Sequence, residues 1–405
     1  MRPAQLASPE AYVFDPFAES LISDPWEAYH RLRAEQPVYW CRTMGAWVLT
    51  RMADIEKVLV DDRFDAVRTA GILAEVGRRA RRDYRPLIRF LDAALFFKTG
   101  EDHARDRRTL ATIMNQVKLS ALEPIAADLA RSLAAPIRSG APFDAVAGLA
   151  DPFPQRMMAR ILGIPQEDVP QLSRLLADLT LVFDPAALAT YDRVNSLTIE
   201  ALALLERRIA EAPEGSGLRR IYEEAEGDQA ERLERAAATA LFAYRVGAET
   251  TIGLIGGIIR VMATQTGLRE RLLAEPHLAD RLVSEVLRLE SNVQRVGRVA
   301  LEDASVGDVA IDRGDRLLLL LGAANRDPAR YPEPDTAQLD AKRPADVSFG
   351  KGKHFCIGAA LARLEGRVMV QTLLDLPPIE CAADPVWFRG RTIRRLTSLT
   401  IRSVR

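Results

Sequence analysis

A single cysteine inside a glycine-rich loop, directly before a predicted helix, constrains this chain most. Residues 349–358 read Phe-Gly-Lys-Gly-Lys-His-Phe-Cys-Ile-Gly, and an Ala- and Leu-rich run follows. The three glycines allow the backbone to fold tightly around Cys356, and the following run predicts a helix. A sulfur atom near a helix N-terminus is stabilised as a thiolate, which is the form that binds a metal ion. The loop therefore predicts that Cys356 is a metal ligand.

The loop also allows two interpretations other than metal binding. Cys356 could be an ordinary buried thiol, which is the usual state of a lone cysteine in a soluble protein. The Gly-Lys-Gly-Lys run could instead bind phosphate through its backbone N–H groups. Neither interpretation accounts for the whole string, and its spacing differs from that of a Walker phosphate loop.

The order F-G-x-G-x-H-x-C-x-G, followed by L-A-R, resembles the haem-binding loop of the cytochromes P450 at every fixed position. The resemblance implies that Cys356 binds the iron of haem b (Fe-protoporphyrin IX) and that Phe349, His354 and Gly358 contact the cofactor. It also implies a monooxygenase in which the sulfur ligand favours cleavage of the O–O bond.

Length, charge and cysteine usage limit the class of protein. The chain has 405 residues and a formal net charge of −1, with 55 basic against 56 acidic residues, so we expect no nucleic-acid or membrane partner. Its three cysteines lie far apart and favour a reducing compartment without disulfides. Met1 to Glu10 are polar and lack the apolar core of a secretion signal, which indicates a cytoplasmic protein.

Apolar periodicity and the absence of a linker predict one domain over residues 1–405, mainly α-helical with small β-sheets. The opening helix, hairpin and helix also resemble the N-terminal part of bacterial cytochromes P450. That likeness implies their fold, with haem between a long central helix and the cysteine loop. The expected elements are helices at 27–35 and 53–60, a largely helical stretch at 120–289, and strands at 37–40, 46–50, 309–311, 316–321 and 396–401.

The predicted long helix Ala236–Met262 contains the sequence Gly-x-Glu-Thr at its centre. Such a run is usually a core helix, and its central charges argue against a membrane span. Gly247 removes a side chain where another group can approach, and the Thr250 hydroxyl can bond the carbonyl of Val246 and bend the helix. The resemblance implies that Glu249 and Thr250 deliver protons during O₂ activation.

Two further sets of residues match family positions. Glu285 and Arg288 form an i, i+3 pair that both helix geometry and the resemblance assign a structural role, although Gln338 stands where the family has a third, basic partner. The two haem propionates need cationic or hydrogen-bonding partners when buried. The resemblance implies that these partners are His103, Arg107, Arg298 and His354.

Electrons must come from another protein, because the chain has no room for a flavin domain beyond the haem domain. The resemblance implies a ferredoxin and a ferredoxin reductase as donors. An acidic ferredoxin would dock on basic residues near the cysteine loop, although solvated charges are the ordinary explanation for them. The candidates are Arg105, Arg108, Lys351, Lys353 and Arg363.

The substrate is predicted from charge and aromatic residues around the expected pocket. Arginines at 245, 295 and 395, and six more between 78 and 89, suggest a small organic molecule with a carboxylate or several polar groups, such as a peptide-derived natural product. The alternative is that these arginines face solvent or acidic neighbours. The residues assigned to substrate contact are Phe97, Phe242, Arg245, Val246, Arg295 and Leu396.

Hydroxylation is the expected reaction. Oxidative coupling or desaturation by the same fold is an alternative, because hydrogen can be abstracted without insertion of oxygen. A non-catalytic haem protein that binds a ligand is an alternative of another class, but it would not need the pair Glu249 and Thr250.

Overall fold

The computed structural model describes residues 12–67, 69–116, 118–184, 188–340 and 344–404. The polar N-terminal segment 1–10 lies outside these residues. Within them, helices predominate as the apolar periodicity predicts. The α-helices are α1 (Ser20–Ser23), α2 (Trp26–Glu35), α3 (Met52–Val60), α4 (Thr69–Ala80), α5 (Arg85–Ala93), α6 (Gly100–Gln116), α7 (Leu119–Ala134), α8 (Pro152–Leu162), α9 (Val169–Leu176), α10 (Leu188–Ala210), α11 (Gly217–Glu224), α12 (Gln229–Thr264), α13 (Leu268–Ala274), α14 (Leu278–Glu290), α15 (Leu321–Ala324) and α16 (Ala359–Leu374).

Short 3₁₀ and π segments join several of these helices. They lie at Leu95–Phe97, Ala135–Ser139, Val146–Ala150 (π), Gln166–Asp168, Leu179–Phe183 and Gly352–His354. The strands are β1 (Val38–Cys41), β2 (Ala46–Leu49), β3 (Phe64–Ala66), β4 (Phe143–Asp144), β5 (Arg295–Ala300), β6 (Ala304–Val306), β7 (Val309–Ile311), β8 (Arg316–Leu320), β9 (Ile379–Cys381), β10 (Val386–Trp387), β11 (Leu396–Ser398) and β12 (Thr400–Ser403).

The largest sheet has the strand order β1-β2-β8-β5-β3. The predicted hairpin is confirmed, since β1 pairs with β2 around a turn that Gly45 closes at φ +55°. Strand β8 is apolar after the exposed Arg316, because both faces of its four leucines are covered. Leu317 and Leu319 pack toward the α3 side, and Leu318 and Leu320 pack toward the α2 side.

The smaller sheets have the orders β4-β12-β9, β10-β11 and β6-β7. The strand expected at 396–401 is divided at Leu399. The carbonyl of Leu399 accepts from the N–H of Ala145 at 2.9 Å, and its own N–H donates to Asp144 Oδ1 at 3.2 Å. These bonds to the β4 region turn the chain between two sheets. Strand β8 likewise ends one residue early, because α15 begins at Leu321.

Helix α12 is the centre of the helical body and packs against α8, α10, α14 and α16. A capping box fixes its start, with the Asp228 carboxylate accepting from the N–H of Glu231 and the Glu231 carboxylate accepting from the N–H of Asp228. Among the described residues, only α12 is long and apolar enough to cross a membrane, and 72% of its apolar stretch is buried within the protein. It is therefore a core helix.

Candidate active site

The cysteine loop has the tight backbone that its glycines predict. Gly350 and Gly352 both adopt φ +68°, and the N–H of Cys356 donates to the carbonyl of Phe349 at 2.9 Å. A Cβ atom at position 352 would lie 2.8 Å from the carbonyl oxygen of Leu59, so only glycine fits there. Helix α16 begins three residues after the cysteine, as expected.

Cys356 is an exposed residue, but enough protein atoms lie near its sulfur to remove water from around the thiol. Burial raises the pKa of this thiol, although the N–H of Gly358 and the charge of Arg107 act in the opposite direction. The N–H of Gly358, just before α16, thus lowers the thiol pKa in the direction that the sequence predicts, while burial acts more strongly in the opposite direction. A cation bound to the sulfur would stabilise the thiolate, so this environment fits an iron ligand.

Two histidines meet beside the loop. The rings of His103, on α6, and His354 have centroids 4.4 Å apart, and burial lowers the pKa of both, to about 3 for His354. Among the described residues, no hydrogen-bond partner reaches His103 Nε2 or either ring nitrogen of His354. Buried polar atoms without partners are rare, so these atoms fit an anionic group that enters from outside the chain.

The two predicted arginines lie around the same histidines. Arg107 lowers the pKa of His103, and Arg298 lowers that of His354, in each case after burial as the larger cause. Arg298 is itself buried and donates to the neighbouring carbonyl of Gly297 at 2.8 Å. The chain thus gathers two guanidinium groups and two imidazoles near one cysteine. This donor set fits the propionates of a haem.

Glu249 on α12 is buried in a network that holds its carboxylate. Its Oε1 accepts from Arg395 Nε at 2.6 Å and from the Thr180 hydroxyl at 3.1 Å, and it forms an ion pair with Arg245. Both arginines also donate to the carbonyl of Ala177. Removing one partner from such a buried cluster is costly, so the network ties α12 to the segment after α9 and to the C-terminal turn.

The centre of α12 differs from the expected groove in two ways. A Cβ atom at Gly247 would lie 2.9 Å from the sulfur of Met158, so this glycine serves the close packing of α12 on α8. The hydroxyl that approaches a carbonyl four residues earlier belongs to Thr251, at 3.5 Å from the oxygen of Gly247. Thr250 is half-buried, and the hydrogen bond predicted from its hydroxyl to the carbonyl of Val246 is not seen among the described residues.

Glu285 and Arg288 form a buried bidentate pair with N–O distances of 3.0 and 2.9 Å. Arg288 also donates to the carbonyls of Asn325, Pro334 and Thr336. The N–H of Gln338 supplies a further partner of Glu285 at 2.9 Å. Backbone groups therefore bind this pair where the resemblance implied a third, basic side chain.

A wall of phenylalanine rings joins α5, the segments at 95–97 and 179–183, and α12. Phe96 lies 4.6 Å from Phe97, 5.4 Å from Phe183 and 5.6 Å from Phe242, measured between ring centroids. Phe90 stacks on Phe183 at 6.2 Å. Phe97 and Phe242 were expected near the substrate, whereas sequence reasoning missed Phe90 and Phe183. Val246 follows Phe242 by one helical turn and is half-buried.

The geometry does not support the assignment of Arg245 and Arg295 to a substrate carboxylate. Arg245 is only 1% exposed and is paired with Glu249. Arg295 donates to Asp184 at 2.6 Å, and its charge lowers the pKa of that carboxyl although burial opposes it. Acidic neighbours, the alternative in the sequence analysis, therefore compensate both charges. Leu396 is buried, and its carbonyl accepts from Arg395.

Several basic residues near the cysteine loop also have acidic partners. Lys351 pairs with Glu56 at 3.0 Å, and Lys353 pairs with Asp65 at 3.1 Å. Arg363 stacks on Phe349 and donates to a serine hydroxyl, and Arg105 pairs with three carboxylates. Arg108 is exposed and has no ion pair with any described residue.

A buried acid on α16, Glu365, was not among the residues predicted from the sequence. Glu365 is 1% exposed, and burial raises its pKa to about 8, while a hydrogen bond from Thr251 lowers it. Its Oε1 has no hydrogen-bond partner among the described residues. No local pattern marks this residue, because the apolar surroundings come from other helices.

Comparisons with known proteins agree with this geometry. The family model for cytochrome P450 matches residues 258–376. The biotin biosynthesis cytochrome P450 of Bacillus subtilis is 28% identical over 91% of this chain and 93% of its own length. The crystal structure of P450BioI, in complex with an acyl carrier protein ligated to hexadec-9Z-enoic acid, matches with a TM-score of 0.85 and 26% identity over 96% of this chain and all of that one. The predicted mainly helical fold is confirmed.

A vitamin D(3) 25-hydroxylase of Pseudonocardia autotrophica is 31% identical to the chain and aligns over 94% of both proteins. With the cysteine loop and the partnerless histidines, this similarity shows that the chain belongs to the cytochrome P450 family of haem b-dependent oxidoreductases.

Proposed function

We propose that this chain hydroxylates a small, largely apolar organic molecule with O₂ and with electrons from an external ferredoxin and its reductase. The observation that carries the proposal is the juxtaposition of the Cys356 sulfur with the buried, partnerless nitrogens of His103 and His354. A site of this kind takes an iron porphyrin and serves oxygen chemistry in the family.

In this proposal Cys356 holds the iron, and His103, Arg107, Arg298 and His354 bind the propionates. Haem b, when bound, supplies the redox chemistry that activates O₂. The protein supplies the enclosure that excludes water and the groups that orient the cofactor.

Glu249 and Thr250 are the proposed proton donors. Their role is constrained by the network around Glu249, because a carboxylate held by Arg395 and Thr180 must exchange a partner before it can carry a proton to the substrate side of α12.

The apolar nature of the substrate follows from the phenylalanine wall. Five rings in mutual contact offer surface for an alkyl chain or a ring system, and the buried arginines near them already have acidic partners. The acyl chain in the P450BioI complex is an apolar ligand of this kind. We therefore favour an apolar natural-product or acyl substrate in a cytoplasmic enzyme.

The test begins with the haem-loaded protein, reduced and exposed to carbon monoxide. Wild type should show the strongly red-shifted Soret band of a thiolate ligand, and Cys356→Ser should lose it. Cys381→Ser, at a half-buried cysteine on β9, is the matched control and should retain it.

Product analysis then tests the reaction. Candidate apolar compounds that shift the Soret band are incubated with ferredoxin, reductase and ¹⁸O₂. One labelled oxygen atom in the product supports hydroxylation, whereas a loss of two hydrogens without label would assign coupling or desaturation instead.

A further inference from the structure

The arginines of a segment formed by α4, the following turn and α5 have no part in the site described above. Residues 69–93 contain six arginines against three carboxylates, a net charge of +3 in a chain of net charge −1. All six arginine residues are exposed. We call them the arginine surface: Arg78, Arg79, Arg81, Arg82, Arg85 and Arg89.

The arginine surface remains available to another molecule. The side chains of Arg79 and Arg85 are each 80% exposed although they pair with Glu75 and Asp83. Arg81 has a left-handed backbone at φ +55° and no ion pair with any described residue. Exposed pairs of this kind contribute little to folding, so their guanidinium groups can exchange partners at low cost.

The arginine surface lies next to the phenylalanine wall. On α5, Phe90 is buried against Phe183, while the adjacent Arg89 is exposed and pairs with Glu234. The turn before α5 is joined to α10 by the Tyr84 hydroxyl, which donates to Asp192 at 2.8 Å. Helix α5 thus packs Phe90 inward against the phenylalanine wall and presents Arg85 and Arg89 to solvent.

An apolar contact accompanies the positive charge. Ile72 on α4 is 48% exposed, and Gly71 beside it leaves open space where a side chain would stand. The neighbouring Val76 is half-buried on the same helix. A cationic surface with an exposed aliphatic residue suits an acidic, amphipathic helix of another protein.

We propose that the arginine surface docks an acidic acyl carrier protein, which presents the substrate as an acyl chain tethered through a thioester. The inference rests on the proposed function and names the form in which its substrate arrives. The negative charge of the carrier protein is recognised outside the pocket, because Arg245 and Arg295 are already paired with carboxylates of this chain. The apolar chain then meets the phenylalanine wall on the inner face of α5.

The experiment measures binding of an acyl carrier protein charged with a hexadecenoyl chain to the full-length, haem-loaded protein by fluorescence anisotropy. The variant Arg79→Glu/Arg85→Glu should raise the Kd by roughly tenfold at low ionic strength, and the difference should shrink with added salt. Arg131→Glu is the matched control, since this 56% exposed arginine on α7 has a similar i, i−3 acidic partner. Its Kd should equal that of wild type.

Free hexadecenoic acid separates the two proposals. Its spectral binding and its oxidation should be unchanged in the double variant, because the pocket is intact. No carrier binding by wild type, or equal Kd values in wild type and the double variant, would overturn the docking proposal while hydroxylation of the free acid sustains the proposed function. An equal loss of free-acid binding would also overturn it, by assigning the arginines to a small-molecule carboxylate.

Discussion

Replacement of Glu365 by glutamine should remove a pH dependence of stability that burial creates. The carboxyl has a pKa of about 8 in the folded protein, against an ordinary value of 4.5. Between these values the folded state retains a proton that the unfolded state releases. The stability associated with this group is therefore complete below pH 4.5 and is lost as the pH rises through about 8.

The size of the effect follows from the pKa difference. At about 1.4 kcal/mol per pKa unit, the free energy of unfolding should fall by about 3 kcal/mol between pH 4.5 and 7, and by about 5 kcal/mol above pH 8. Glutamine has nearly the same shape and cannot ionise. Glu365→Gln should gain stability relative to wild type as the pH rises, with a slope of about 1.4 kcal/mol per unit in this range.

The assay is denaturant unfolding of both proteins, followed by helical circular dichroism at half-unit steps from pH 5 to 9. The difference between the two proteins is taken at each pH, so other titrating groups cancel. Thr251→Val should extend the dependence to higher pH, because the Thr251 hydroxyl lowers the pKa of Glu365. A stability difference that stays constant with pH would refute the reasoning.

Three further changes test other parts of the structure. Arg288→Ala should cost about 3–5 kcal/mol and reduce haem incorporation, since it leaves Glu285 buried without its bidentate partner; unchanged denaturation would contradict this. Gly217→Ala should cost about 1–3 kcal/mol in denaturant unfolding because its Cβ atom would lie 2.9 Å from the backbone Cα of Leu162, and unchanged stability would contradict this. Arg108→Glu should slow reduction by ferredoxin with haem content unchanged, and an unaltered rate would remove this residue from the donor surface.

Local patterns were enough to predict much of the fold. The hairpin of β1 and β2 follows from two apolar runs around a four-residue turn, and α12 follows from a long apolar periodicity. Strands β3 and β5 were not predicted, because each is defined by partners far along the chain: Phe64 pairs with Ala300, and Arg295 pairs with Leu320. Pairing of this kind leaves little trace in a window of ten residues.

The candidate site also has a part that local sequence predicts and a part that depends on residues far apart in the chain. The glycine loop around Cys356 is a local device, so its residues could be recognised from order and spacing. The surroundings of Glu249 depend on Arg395, 146 residues later, and on Thr180, 69 residues earlier. A charged residue next to a predicted pocket therefore says little about the substrate until its partner is known.

The arginines near the pocket follow one physical rule. A guanidinium group that is almost fully buried requires a carboxylate or several carbonyls, which is why Arg245 and Arg295 have acidic partners within the chain. An exposed guanidinium has water as an alternative and can exchange its ion pair at little cost, as Arg79 and Arg85 can. Since the charges of Arg245 and Arg295 are already compensated, recognition of an anionic partner protein falls to the arginine surface on α4 and α5. The phenylalanine wall then selects the carbon skeleton of the substrate. Helix α5 contributes residues to both the wall and the arginine surface.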